Sequence, residues 1–108
     1  MRNLIAFILS FFDRRTFGAL RSPDWREVRN NFLRYNDKCA VCNTKKKLAV
    51  HHKMPFHLSP ELELDGNNLI TVCREHHYTF GHLCNWSSYN DKIVEDSILW
   101  NHRITNRP

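Results

Sequence analysis

Apolar residues recur along this chain with two different periods, and the changes of period mark its elements. Trp25, Val28, Phe32 and Tyr35 follow one another at three- and four-residue steps, which lines them along one helix face. Ser22 supplies an N-cap, Pro23 fits the first helical position, and Asp24 suits the positive end of the helix dipole. The helix is expected to end near Asn36 and Asp37, with Arg26, Arg29 and Arg34 mostly off its apolar face. Leu48-Ala49-Val50-His51-His52-Lys53 and the β-branched run Leu69-Ile70-Thr71-Val72 are short strand candidates. Residues 55–67, with two prolines, a glycine and no steady period, form an irregular loop between them. A helix is expected over 74–82, with Gly81 near its end. A last helix runs through Ile93, Val94, Ile98 and Leu99, capped by Asn90 or Asp91. The result is an α+β domain with a ββα unit at its centre.

The first twelve residues are largely apolar but fall far short of the roughly 20 that span a bilayer. They resemble a signal-peptide core, yet Asp13-Arg14-Arg15 follows where a small-residue cleavage site would stand. No stable membrane span and a cytoplasmic location are therefore expected. Residues 1–21 form a hydrophobic, then basic, leader ahead of a domain at 22–108. That leader is suited to pack on the domain or to act as an interface between copies of the chain.

With 108 residues the chain supports one modest core, and a metal staple would help so small a domain. The net charge of +5 favours polyanionic partners. The 4 cysteines are accompanied by 7 histidines, a mixture that favours metal over a disulfide framework.

Two pairs carry that chemistry, Cys39-Ala-Val-Cys42 and Cys73-Arg-Glu-His76. Tetrahedral zinc takes four ligands from two turns, and each pair has the bite of one turn. Cys84 competes with His76 for the fourth position. The spacing favours His76, which leaves Cys84 as a small core thiol. His51 and His52 are adjacent on a strand, so they point to opposite faces and can do different jobs.

Together with Asn68-Leu69-Ile70-Thr71-Val72-Cys73-Arg74-Glu75-His76-His77, these residues resemble the zinc-ribbon branch of the HNH, or ββα-metal, endonucleases. The resemblance runs from about Ser22 to Asn90. It implies a metal-dependent hydrolysis of DNA phosphodiester bonds, with double-stranded DNA as partner and phage or bacterial relatives. In it, His52 matches the general base, Asn68 the residue that aims it, and His77 a ligand of the catalytic ion. His51 stands where many members carry Asp, as the other ligand of that ion. Cys39, Cys42, Cys73 and His76 match the ligands of a structural Zn2+. A nitrogen-rich site would favour Mn2+, Ni2+ or Zn2+ over Mg2+. Glu75 points away from His77 on a helix, and His82 is equally suited to bind the ion, the core or a phosphate.

Lys45, Lys46, Lys47, Lys53 and Arg74 are the candidate DNA contacts, with Arg26 and Arg29 on the preceding helix. Trp86 and Tyr89 are expected to pack in the core rather than to stack on bases. Two other functions compete with the nuclease. A non-catalytic zinc-stapled module binding nucleic acid would keep the cysteines but need neither His51, His52 nor His77. An interaction or toxin-like protein would act through residues 1–21.

Overall fold

The computed structural model describes residues 21–107. The leader expected at 1–21 therefore lies outside the described residues, except for Arg21. Helix α1 (Trp25–Tyr35) starts after a turn in which Ser22 Oγ accepts from Asp24 N and Ser22 O accepts from Trp25 N. The Ser-Pro-Asp segment thus forms a turn leading into the helix, and Asp24 takes the N-cap position. Strands β1 (Leu48–His52) and β2 (Leu69–Cys73) pair antiparallel, with Leu48 opposite Cys73 and His52 opposite Leu69. Short 3-10 turns at Pro60–Leu62 and Gly66–Asn68 give the intervening loop more order than its sequence promised.

Helix α2 (Arg74–His76) continues without a break into a π-helical turn, His77–Gly81. The single α-helix expected over 74–82 is thus corrected: its second half is wound more widely. The last helix, α3 (Ile93–Thr105), follows a loop that ends at buried Asn90. No helix among the described residues is long and apolar enough to cross a membrane.

The core is small and is built around the cysteines. Cys39, Val41, Val72, Cys73 and Ile93 are buried together, with Leu48, Ile70, Phe80 and Val94 packed against them. The knuckle is tied to the sheet by Ala40 N donating to Thr71 O and Arg74 N donating to Lys47 O, each at 2.9 Å. Asn43 and Lys47 take left-handed φ of 65° and 53°, which turns the chain tightly around Cys42.

Two apolar stripes are wider on paper than in the fold. Tyr35 is 80% exposed, at the rim of a depression it lines with Phe32, Leu69, Ile70 and Thr71. Ile98, 66% exposed, and Leu99 face outward, and the inner row of α3 is Ile93, Ser97 and Asn101. Asn101 Nδ2 donates to Val41 O at 3.1 Å, so α3 holds the knuckle by a polar bond.

Asn90 joins the π turn to α3. Its Nδ2 donates to Phe80 O at 3.0 Å and to Asp96 Oδ2 at 2.8 Å, and its Oδ1 accepts from Lys92 N. Replacing it by Ala strands these buried groups at about 1–3 kcal/mol each before relaxation. Asn90→Ala is expected to lower the unfolding free energy by about 2 kcal/mol in urea titrations, and a loss below about 0.5 kcal/mol would contradict this role.

Candidate metal centres and active site

Two ligand clusters form where β1 and β2 meet the α2–π segment, one using His76 and the other His77. In the first, one ligand atom each from Cys39, Cys42, Cys73 and His76 lies within 4.8 Å of all the others. Cys73 Sγ is 3.2 Å and Cys39 Sγ 3.6 Å from His76 Nδ1, while Cys42 Sγ and Cys73 Sγ are 4.0 Å apart. Zinc with Zn–S near 2.3 Å and Zn–N near 2.0 Å needs tetrahedral edges of about 3.5–3.8 Å, so the four side chains fit such an ion. Burial pushes the Cys42 thiol up to about 11. Burial also raises Cys39, but backbone N–H groups around it outweigh that and leave it below its usual value. A lowered thiol gives up its proton to a metal ion more readily than an ordinary one. Cys84 is exposed and belongs to neither cluster, which corrects its expected place in the core.

In the second cluster, His51, His77 and His82 bring one nitrogen each to within 4.8 Å of one another. His51 reaches it from β1, and the other two lie at the start and just past the end of the π turn. In an α-helix, residues five apart diverge, but a π turn repeats at i+5 and stacks them. His77 Nε2 and His82 Nε2 consequently stand 3.2 Å apart.

The tautomer of His82 is fixed by its surroundings. Ser88 O can only accept, so His82 Nδ1 at 2.8 Å is its donor and His82 Nε2 carries a bare lone pair. His51 Nε2 is buried and has no hydrogen-bond partner among the described residues. A buried nitrogen left alone is costly, and here it faces two more imidazoles. A three-nitrogen set with one member held from behind by a carbonyl is the donor chemistry of a divalent transition ion. Glu75 is exposed and stands outside this set.

The family model of the HNH endonuclease matches residues 39–79. These residues form an HNH domain. Searches of curated proteins and of solved structures gave no significant match to the chain. The matched span of the HNH domain holds the Cys3His cluster, both strands, His51, His52, Asn68 and His77, whereas His82 lies beyond it.

His52 points from β1 to the face opposite His51. Its Nε2 is 2.9 Å from Glu63 O, which can only accept, so Nε2 holds the proton and Nδ1 keeps its lone pair. Trp25 lies against the ring at 4.4 Å between centroids. Burial, and then the charge of Arg21, lower His52 to about 4. Asn68 is buried and bonds backbone on both sides of the loop. Its Oδ1 accepts from Met54 N at 2.8 Å, and its Nδ2 donates to Met54 O and Leu62 O. It thereby fixes the segment after His52 and the turn before Glu63.

Sequence reasoning missed Glu63 and Arg21. Glu63 is 1% exposed, and its carboxylate accepts from Arg21 Nε at 3.0 Å and Ser22 N at 3.1 Å. The Arg21 guanidinium lies over Phe56 and Trp25. Arg21, Trp25, His51, His52, His77 and Trp86 line one cleft of about 350 Å3. None of Lys45, Lys46, Lys47, Lys53 or Arg74 lines it. Lys45 to Lys47 and Arg74 sit at the Leu48–Cys73 end of the hairpin, away from His52. A buried glutamate inside an irregular loop has no periodic signature, but its pairing with a cation just ahead of α1 could have been sought. Trp86 is 61% exposed beside His77 and His82, which corrects its expected core packing.

Burial, and then the neighbouring imidazoles, lower His51 to about 3 and His77 to about 4, from 6.5. Below 6.5 the unfolded chain therefore binds protons that these histidines refuse, so stability falls as pH drops from 6.5 towards 3. The urea midpoint is expected to be lower at about pH 5 than at about pH 7, and His51→Phe should flatten that fall. Equal falls in both proteins would contradict it.

Gly81 lets the His51 ring lie on the π turn: an added Cβ would stand 3.0 Å from His51 Nδ1 and Cε1. Gly81→Ala should displace that buried ring and weaken Ni2+ binding about tenfold in calorimetric titration. Unchanged affinity would show that the ring yields freely.

Proposed function

We propose that this chain is a metal-dependent nuclease that hydrolyses phosphodiester bonds of DNA. The HNH domain makes the nuclease class the natural one, because HNH domains usually act on DNA. The observation that carries the reading is the pair of opposed faces on β1. One presents a neutral imidazole with a bare Nδ1, and the other presents a three-nitrogen cluster.

The residues divide the work as follows. His52 Nδ1 takes a proton from the attacking water, while the Glu63 carbonyl keeps the ring in the tautomer that allows it. Asn68 is a positioning residue, bonding Met54 and Leu62 so that the loop carrying Glu63 O stays in place. Trp25 packs on the His52 ring and limits its rotation. His51, His77 and His82 would hold a divalent ion, extending the two ligands expected from sequence by one. That ion, when bound, supplies Lewis-acid stabilisation of charge developing on the phosphate and the leaving oxygen. An all-nitrogen set favours Mn2+, Ni2+ or Zn2+ over Mg2+. The Cys39, Cys42, Cys73 and His76 cluster would hold a structural Zn2+.

The test is plasmid nicking with each of these ions. His52→Ala is expected to slow nicking about a hundredfold or more, since general bases contribute that much. Undiminished nicking by the variant would remove His52 from this role. No nicking by the wild type with any of the ions would leave the zinc-stapled binding module.

A further inference from the structure

We propose that Trp86 is a stacking platform for an unpaired nucleobase beside the scissile phosphate. The substrate is then DNA with free bases at the cut rather than intact duplex. This rests on the nuclease reading above and deepens it by naming the form of the substrate.

The loop that carries Trp86 is built at a cost. Leu83 and Cys84 take consecutive left-handed φ of 54° and 63°, a conformation that side-chain-bearing residues rarely adopt. The strain is held in place by dense bonding. Tyr78 Oη donates to Cys84 O at 2.6 Å, Cys84 N to Tyr78 O at 3.0 Å, and Ser88 N to Asn85 O at 2.8 Å. Asn85 Oδ1 also accepts from Ser87 N at 3.0 Å. What this fixed loop displays is a large aromatic ring left mostly in water, where burial would be favourable.

The ring's position suits a nucleotide. Its inner side touches His77, His82 and Tyr78, at centroid distances of 5.4, 4.8 and 5.0 Å. A phosphate at the histidine cluster would have its neighbouring base within reach of the open side. Across the same cleft the Arg21 guanidinium lies over Phe56, 4.6 Å from the ring centroid. Stacking on Trp86 demands a base with a free face, and inside a duplex both faces are covered by neighbours. Aromatic stacking of this kind is tolerant of sequence, because every base has a π face. Trp86 lies beyond the residues 39–79 that match the family model.

The rival explanation is that Trp86 only shelters His82. Trp86→Leu separates the two, keeping an apolar cover over His82 while removing the π face. Binding of a labelled single strand and of its duplex is measured by fluorescence anisotropy on the zinc-loaded protein, without further divalent ion. The wild type is expected to favour the single strand. Trp86→Leu should lose about tenfold on the single strand and little on the duplex, while Trp86→Phe keeps most of the preference. The proposal is overturned by a wild type without preference, by equal loss on both forms, or by loss of Ni2+ binding in Trp86→Leu. If circular dichroism shows that the Leu variant does not fold, Trp86→Met serves the same comparison. Nicking by His52→Ala is scored alongside, so a failure of the catalytic reading is seen separately from this binding ratio.

Discussion

Four ligand side chains on two distant turns have to meet at one point, and most of the fold follows from that meeting. Cys39 and Cys42 arrive on the knuckle before β1, and Cys73 and His76 on the junction of β2 with α2. The residues buried with them are few: Val41, Val72 and Ile93 are the apolar members of the core cluster. With so few apolar side chains buried among the described residues, hydrophobicity is not the only tie that holds this region. Joining the cysteine end of the hairpin fixes the register in which Leu48 faces Cys73, and that register carries His52 to the opposite end beside Leu69. Helix α3 is held to the same knuckle by Asn101.

Once the hairpin is in register, strand geometry separates two kinds of chemistry. Neighbouring residues on β1 point to opposite faces, so His51 meets the π turn and His52 meets α1 and the loop. The π turn then does what an α-helix could not. Its wider winding brings a residue five positions on into line, and its glycine lets a ring lie against the backbone. Each device alone is a departure from regular helix, and together they gather three imidazoles around one point.

How much of this could be read from the sequence depends on whether the determinant was local. The strands, the two metal-ligand pairs and the loop between the strands were legible, because spacing and β-branching are properties of short windows. Asn68 was legible only through resemblance, since a buried amide bonding Met54 and Leu62 has no period of its own. The partnership of His82 was not legible, as periodicity arguments assume 3.6 residues per turn and a π turn breaks that assumption. Trp86 and Cys84 were placed in the core on residue type alone, and a left-handed loop turned them outward. Ile98 and Leu99 formed a plausible stripe, but which side of a helix is covered is decided by the partner.

The charge distribution leads one step further. The protein carries +5 overall, yet the cleft's own contribution is modest. Among the described residues that line it, Arg21 is the one with a fixed positive charge, and Glu63 compensates it at 3.0 Å. Burial lowers His51, His52 and His77 far enough that all three are neutral near pH 7. The exposed Lys45, Lys46 and Lys47 stand at the other end of the hairpin, where they can attract a polyanion without entering the cleft. Attraction and chemistry are thereby separated in space. Lysines among the three histidines would oppose a divalent ion by like-charge repulsion and would make the neighbouring imidazoles weaker proton acceptors. A cleft with neutral nitrogen donors and a paired arginine avoids that conflict, leaving an ion as the group that would bring net positive charge to the phosphate.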